Sequence, residues 1–355
     1  PAVAVIPSEH FNTVLYTGDG SSDRDIQTGF RPGWTWIKQR NGTANHNVWD
    51  IMRGGTKYLV TNATNAQSTD PAGVDTGKTD AQIGGGGGFR LLGNTGQSNG
   101  DTNTFASWNW KASDGGGVSN SNGSITSSNN VNTDAGFSIV TYTGNETVST
   151  VGHGLSKAPE LLIIKGRDTA HNWVTLSTAG TDEVGYLNTT AAFGTGNLPY
   201  FFGNSGGGVY TAPTATVFTI GGSGEVQVNE SGSLYIAYCF HSVDGYSKVG
   251  SYTGNGNADG TFIYTGFRPA FVLIKRTNSA GQGAPIFDSA RDEYNMTVKR
   301  LNSNDSVAEL TTDGNIDLLS NGFKARNTDG SVNTSGGEYI YLAFAETPFK
   351  YSNAR

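Results

Sequence analysis

The hydrophobic pattern of the chain is built around a short run that occurs three times. Each copy begins with a small turn and a proline, and a mostly apolar stretch then ends in Ile-Lys. The copies span residues 32–38, 159–165 and 269–275, with the same spacing from proline to lysine. Proline suits the first position of a β-strand, and the second and third stretches are apolar on both faces. We therefore expect three central strands, each covered on both sides, with the lysine marking the exit to solvent.

Each central run lies inside a longer repeat. An alternating strand that ends in Tyr-Thr-Gly precedes it, and an asparagine followed by an aromatic strand closes the repeat. The glycines are Gly18, Gly144 and Gly254, and the asparagines are Asn99, Asn229 and Asn333. An extra residue in the third opening strand predicts a β-bulge at Gly250.

The first and third repeats also share an aromatic-Asp-x-x-Arg motif after the central run. It places Asp50 near Arg53 and Asp288 near Arg291. We interpret both pairs as ion pairs that support a turn beside the central strand.

Self-similarity over roughly a hundred residues is too long for one turn of a solenoid, so each copy is expected to be a unit of its own. The predicted units are residues 1–134, which include a Gly/Ser/Asn-rich linker, residues 135–243 and residues 244–355. No window shows convincing helical periodicity. The predicted fold is all-β, with three related β-sandwich-like units of lectin or jelly-roll type in tandem.

Composition supports strands and tight turns. The 355 residues include 51 glycines, with 11% aromatic and 15% charged residues. The net charge of −7 argues against nucleic-acid partners and anionic membranes. Residues 1–7 are too short for a signal peptide or a membrane span, so no membrane insertion is expected. The single cysteine, Cys239, lies in an apolar run and is expected in the core.

Candidate chemistry is sparse. The five histidines show no metal-ligand spacing, and the acidic turns at residues 19–25 and 255–259 lack a full Ca²⁺ motif, so neither a metal nor another cofactor is predicted. The glycine run at residues 84–88 lacks the Lys-Ser/Thr of a phosphate loop and is interpreted as a flexible loop tip.

No pair of carboxylates recurs with the signature of a glycosidase. The candidates are Asp50, Glu160, Asp182, Glu183 and Asp288. A glycosidase needs two carboxyl groups that face each other across a cleft. The sequence therefore predicts no catalytic residue and no enzyme.

The tryptophans are concentrated in the first repeat. Trp34 and Trp36, and likewise Trp108 and Trp110, alternate so that each pair points one way, which favours the core. Trp49 and Trp173 remain as candidate surface contacts for a sugar or a protein.

Two stretches of the chain resemble a recurrent family of bacteriophage virion proteins. The first comprises residues 136–144, 150–155 and 158–160, and the second comprises residues 339–346 and 348–355. Members of that family are usually labelled tail fibre or structural protein of unknown function. The resemblance covers nearly the whole chain, but it departs from the family pattern at the glycine run of residues 84–88.

The resemblance implies a structural component of the virion, without a catalytic motif. The expected role is host attachment and assembly in a tail fibre or tail tip, with a capsid decoration or head fibre and a surface-glycan depolymerase as alternatives. Expected partners are other virion proteins and a glycan or protein of the host surface. A homo-oligomer is expected, with a trimer as the first choice by analogy with phage fibres. The run from Phe349 to Arg355 either docks on a neighbouring subunit or closes the third unit as a strand.

Overall fold

A computed structural model describes residues 5–78, 80–203, 209–222, 224, 226–312 and 314–346. The prediction of an all-β fold is confirmed, because antiparallel sheets account for nearly all regular structure in these residues. The described residues include two short helices, α1 (Leu198–Phe202) and α2 (Val226–Asn229), together with 3₁₀ turns at Pro7–Glu9 and Asp80–Ile83. The C-terminal run from Phe349 to Arg355 lies outside the described residues.

The first unit consists of a main sheet and a smaller outer sheet. Its strands are β1 (Phe11–Thr17), β2 (Arg24–Gln27), β3 (Trp34–Gln39), β4 (Asn47–Asp50), β5 (Lys57–Val60), β6 (Ser68–Thr69), β7 (Val74–Asp75), β8 (Gly88–Leu91) and β9 (Thr104–Trp110). The main sheet has the order β1-β9-β3-β4-β5-β6, and the outer sheet has the order β2-β8-β7.

The second unit repeats this plan and begins within the predicted linker. Its strands are β10 (Val118–Asn120), β11 (Ser127–Asn132), β12 (Phe137–Thr143), β13 (Ser149–Gly152), β14 (Leu161–Gly166), β15 (Val174–Ser177), β16 (Glu183–Tyr186), β17 (Val217–Ile220) and β18 (Leu234–Phe240). The main sheet is β10-β11-β12-β18-β14-β15-β16, and β13 pairs with β17 in the outer sheet.

The third unit has the same two layers. Its strands are β19 (Ser247–Thr253), β20 (Phe262–Tyr264), β21 (Pro269–Arg276), β22 (Pro285–Asp288), β23 (Leu301–Asn302), β24 (Ile316–Leu319), β25 (Gly322–Ala325) and β26 (Glu338–Ala345). The main sheet is β19-β26-β21-β22-β23, and the outer sheet is β20-β25-β24.

The Pro-to-Lys runs contain equivalent central strands, as predicted, although the proline belongs to the strand only in the third unit. In every unit the central strand, β3, β14 or β21, lies between the last strand of the unit and the strand that follows the central run. Phe271 and Leu273 occupy the places of Leu161 and Ile163, because Phe271 is opposite Phe344 as Leu161 is opposite Phe240. The repeat seen in the sequence is therefore a repeat of topology and register.

Each central strand is buried on both faces, and its two faces pack against different cores. Side chains on the inner face of all three main sheets meet in one central core. Its members include Trp34, Trp36, Trp108, Trp110, Ile139, Leu161, Ile163, Tyr238, Phe240, Phe271, Leu273, Leu342 and Phe344. The side chains that alternate with these along the strands face the outer sheet of their own unit and form a separate core in each unit. Examples are Ile37 and Phe89, Leu162 and Phe218, and Val272 and Phe323.

The three units form a closed ring through equivalent backbone hydrogen bonds. In each case the donor lies five residues after Asn62, Asn188 or Asn304, and the acceptor lies two residues after the central lysine of the next unit. The bonds join Gln67 N–H to Arg167 O at 2.7 Å, Phe193 N–H to Thr277 O at 2.8 Å and Glu309 N–H to Arg40 O at 2.8 Å. The ring therefore has an approximate threefold arrangement.

The Tyr-Thr-Gly turns explain two of the repeated residue types. The backbone N–H groups of Gly18, Gly144 and Gly254 donate to carbonyl oxygens four residues after the closing asparagine, at 2.7, 2.9 and 2.8 Å. A Cβ atom at any of these glycines would overlap a backbone carbonyl group, so no other residue fits. The closing asparagine of each repeat accepts a hydrogen bond from the residue after the glycine, at 3.2, 2.8 and 3.0 Å.

The predicted bulge at Gly250 was wrong. The pairing of β19 with β26 is regular from Ser247 to Thr253. Gly250 instead leaves room for the ring of Tyr341, whose atoms a Cβ would approach to 2.5 Å. The third unit has its irregularity on the central strand, between Pro269 and Phe271.

Phe271 provides a test of the shared core. Its ring contacts Phe11, Trp108 and Trp110 of the first unit, so Phe271→Ala is expected to lower the free energy of unfolding by about 3–5 kcal/mol. The matched change Phe262→Ala removes a ring that is 43% exposed and is expected to cost less than about 1 kcal/mol. Urea denaturation measures both changes. Equal costs would show that the main sheets do not share a core.

Candidate functional site

The two tryptophans expected at the surface are both buried, so this prediction was wrong. Trp49 and Trp173 each have 0% exposure. Trp49 lies in the core between the main and outer sheets of the first unit, where it contacts Tyr58. Trp173 reaches the neighbouring unit, and its Nε1–H donates to Val60 O at 2.8 Å. Both residues stabilise the ring, and neither presents a ring face to a ligand.

The central lysines do not mark an exit to solvent, which corrects a second prediction. Lys38, Lys165 and Lys275 are 0%, 0% and 4% exposed. The Nζ of Lys165 donates to Gly166 O at 2.7 Å, and that of Lys275 donates to Thr189 O of the neighbouring unit at 2.5 Å. The strand ends are covered because the loop after each lysine folds against the adjacent unit.

Burial changes the acid–base properties of these lysines. Removal from water disfavours the ammonium form, which lowers the pKa of Lys38, Lys165 and Lys275 to about 8 in each case. The ammonium groups are therefore still mostly charged at neutral pH, and backbone carbonyl oxygens accept their hydrogen bonds.

Two buried ion pairs lie at the unit interfaces, and the sequence predicted both. Asp50 and Arg53 have side chains with 0% exposure and an Oδ2–Nε distance of 2.5 Å. The hydroxyl of Tyr238, on the last strand of the second unit, donates to the same Oδ2 at 2.7 Å. Burial raises the pKa of Tyr238, so the hydroxyl keeps its proton and acts as a donor.

The second ion pair has the same geometry at another interface. Arg291 Nε donates to Asp288 Oδ2 at 2.6 Å, and Trp108 Nε1–H of the first unit donates to that oxygen at 3.0 Å. Glu309 extends the cluster, because it accepts from Arg291 at 3.2 Å and from Arg40 at 2.8 Å. The carboxylates are enclosed and hydrogen-bonded, so they have a structural role.

Among the described residues, the interface between the second and third units lacks this arrangement. Ser177 occupies the position of Asp50 and Asp288, and Leu342 occupies that of Tyr238 and Trp108. A small apolar cavity lies at this interface, lined by residues that include Leu161, Leu273 and Leu342. The loss of the carboxylate therefore coincides with the loss of its aromatic donor.

The carboxylates of the two acidic turns form ion pairs with basic side chains. Asp25 pairs with Arg90 at 2.7 Å, and Asp259 pairs with Lys324 at 2.5 Å. Among the residues that the structure describes, no three His, Cys, Asp or Glu side chains are placed to hold a metal ion.

One groove combines two carboxylates from different units. It has a volume of about 420 Å³ and is lined by residues of the second and third units, which include Glu183 and Glu338. Burial and the charge of Glu338 raise the pKa of Glu183, while a hydrogen bond from Thr277 opposes the shift. Glu183 was among the carboxylates considered from the sequence and Glu338 was not, because the two residues come together only through the packing of the units.

Comparison with known families assigns the chain to one of them. Residues 6–348 match a family described as a domain of unknown function, DUF7483. The chain belongs to the DUF7483 family. No curated protein and no solved structure matches it. No helix in the described part of this DUF7483 chain is long and apolar enough to span a membrane.

The interface hydrogen bond of Tyr238 can be tested by removing one atom. Tyr238→Phe leaves the buried carboxylate of Asp50 without one donor, and the expected loss of unfolding free energy is about 1–3 kcal/mol. Tyr264→Phe is the matched control. Tyr264 is 66% exposed, so removal of its hydroxyl should change the free energy of unfolding by less than about 0.5 kcal/mol. Denaturation in urea measures both, and a negligible effect of Tyr238→Phe would contradict the proposed role of this hydrogen bond.

The buried lysines predict a dependence of stability on pH. Their folded pKa of about 8 lies below the unfolded value of about 10.4, so the unfolded chain binds more protons between these pH values. Stability is therefore expected to rise as the pH increases from 8 towards 10. Above about pH 10 it should fall again, because the unfolded chain loses the protons of tyrosines such as Tyr341, whose folded pKa burial raises to about 12.

Lysine variants separate this effect from other titrations. Lys165→Met removes one of the three groups, so the rise in unfolding free energy between pH 8 and 10 should shrink by roughly a third. The exposed Lys157 provides the control, and Lys157→Met should leave the rise unchanged. Denaturation midpoints across this pH range measure the slope, and identical slopes in both variants would exclude the buried lysines as its source.

Proposed function

We propose that the protein is a structural and attachment component of a bacteriophage virion, in the tail fibre or at the tail tip. The observation that carries the proposal is the closed ring, in which three β-sandwiches share one packed core and leave their outer sheets and turns on the outside. A rigid body with many surface turns is suited to holding its neighbours in place and to presenting loops to a binding partner.

The residues behind the resemblance to phage virion proteins support this proposal. Gly144 makes the close backbone contact of the Tyr-Thr-Gly turn, and Val151 and Leu155 lie in the core of the second unit. Tyr341 lies in the equivalent core of the third unit. The resemblance therefore involves residues that determine the fold, which favours a shared architecture.

In this proposal the protein contacts other virion proteins and a glycan or protein of the host surface. It acts as a homo-oligomer, with a trimer as the first expectation. A capsid decoration or head fibre protein is the nearest alternative, because the same rigid body can stabilise a shell.

A surface-glycan depolymerase is the second candidate function, and the groove with Glu183 and Glu338 favours it. Glycoside hydrolysis uses a pair of carboxyl groups, one of them with a raised pKa, and this groove contains two carboxyl groups, of which Glu183 has a raised pKa. Against this candidate, Glu183 accepts a hydrogen bond from Thr277, and the equivalent groove on the second unit has Arg167 and Leu234 at the positions of Thr277 and Glu338.

Location on the particle provides the test. Gold-labelled antibodies against the protein are expected to mark the tail fibre or tail tip in electron micrographs. Label on the head would favour the decoration alternative, and particles without label would contradict a virion role. Purified protein is expected to release no oligosaccharide from host polysaccharide; release that Glu183→Gln abolishes would establish the depolymerase instead.

A further inference from the structure

The outer sheet of each unit ends on the strand that precedes the central run. These edge strands are β2, β13 and β20. An edge strand exposes backbone N–H and C=O groups that can pair with another extended chain, so proteins usually cover or protect it. The three units differ in how they do this.

In the second unit, a segment of the same chain covers the edge. Ile125 N–H donates to Thr150 O at 3.0 Å, and Thr150 N–H donates to Ser124 Oγ at 2.9 Å. Ile125 also forms a parallel bridge with Val151. The connection from the first unit thus extends the outer sheet beyond β13.

In the first unit, charged and polar side chains protect the edge. Asp25 is the equivalent of Thr150, and Gln27 is the equivalent of Gly152, because Ile26 pairs with Phe89 as Val151 pairs with Phe218. Asp25 forms an ion pair with Arg90 at 2.7 Å. Charged residues on an edge strand disfavour the addition of another chain.

In the third unit, the equivalent residues are aromatic. Phe262 and Tyr264 are 43% and 66% exposed on β20, on either side of the buried Ile263. Thr261 and Thr265 form backbone hydrogen bonds towards β25, so by alternation the backbone groups of Phe262 and Tyr264 point away from β25. No segment in the described part of the chain pairs with this side of β20.

The length of the chain segment that connects one unit to the next explains why β13 is covered and β20 is not. The chain has 26 residues between the end of β9 and the start of β12, and part of this stretch covers β13. Between the end of β18 and the start of β19 it has only six residues. The third unit therefore receives no covering segment from the unit before it.

The charges around β20 indicate the chemistry of an occupant. Asp259 forms an ion pair with Lys324 at 2.5 Å, and Asp317 forms one with Arg326 at 3.4 Å. The two negative charges are therefore balanced by two positive charges. An uncharged occupant matches this neutral surface. The segment that covers β13, residues 119–127, also contains no charged residue.

We propose that β20 binds an extended, uncharged segment of a partner polypeptide by strand addition. The segment pairs with the backbone of Phe262, as Ser124 and Ile125 pair with Thr150, and an apolar side chain packs beside the rings of Phe262 and Tyr264. A peptide is favoured over a glycan because the free polar groups belong to the backbone, while the charged side chains nearby already have partners. The inference adds a contact to the proposed assembly role, but its test does not depend on location in the particle.

A peptide with the sequence of residues 119–127 is the probe. Titrated into the full chain, it is expected to bind saturably with a dissociation constant below about 1 mM. Hydrogen exchange measured by mass spectrometry should slow in residues 262–264 and remain unchanged in residues 149–152. A peptide with Asp in place of Ile125 is the control and should bind at least about tenfold more weakly.

Variants of the protein locate the site. The double variant Phe262→Asp/Tyr264→Gln installs the residues that the first unit has at these positions, and it should weaken binding of the probe at least about tenfold. Tyr294→Gln changes another exposed tyrosine, which is 82% exposed, and should leave binding unchanged. Far-ultraviolet circular dichroism and melting temperature verify that both variants are folded.

Three results would overturn the proposal. The first is the absence of saturable peptide binding up to millimolar concentration. The second is binding that the double variant leaves intact, since the probe would then bind elsewhere. The third is a glycan or a second copy of the chain as the occupant, seen as glycan binding or as concentration-dependent mass in light scattering that the double variant abolishes.

Discussion

The structure depends on covering both faces of three apolar sheets. Each central strand carries apolar side chains on both sides, and one outer sheet can cover only one of them. The other faces are buried against one another in the central core, which contains aromatic rings from all three units. Burial of apolar surface is the main favourable contribution to folding, so a separated unit would lose a large part of its stabilisation.

The polar interactions at the interfaces follow from this arrangement. Sheets that meet around a common centre bring their loops together, and the loops then satisfy backbone groups of the neighbouring unit. Asn62, Asn188 and Asn304 hold these loops by accepting hydrogen bonds from backbone N–H groups at 2.8, 2.9 and 2.8 Å. The buried pairs of Asp50 with Arg53 and of Asp288 with Arg291 give the interfaces polar specificity, since each carboxylate accepts from one particular aromatic side chain.

Sequence patterns predicted what lies within a unit and missed what lies between units. The central strands, the Tyr-Thr-Gly turns and the two ion pairs follow from local spacing, which β-structure translates directly into register. Trp173 was expected at the surface because its partner, Val60 O, belongs to the neighbouring unit. Lys165 was expected at the exit of its strand because the pattern of the strand does not show that the following loop folds over the lysine, where Gly166 O and Thr169 O accept from Nζ.

Some equivalences between the units were not recognised from the sequence because different residues can make the same contact. Val217 and Phe218 take the positions of Gly322 and Phe323 in the second unit, and the missing glycine hid this equivalence. The aromatic edge of β20 and the groove with Glu183 and Glu338 have no sequence signature, because each depends on which segment covers which surface.

The closed ring also differs in kind from a ring of three separate chains. Peptide connections hold its sandwiches at a fixed ratio and at a high effective concentration, so dilution does not dissociate them. In a ring of identical chains, a substitution appears in every subunit at once. In this single-chain ring, a substitution alters one unit and leaves the other two unchanged. The interface with Ser177 and Leu342 and the aromatic edge of the third unit are two such independent changes. One polypeptide thus combines the rigidity of a symmetric assembly with faces that need not be alike.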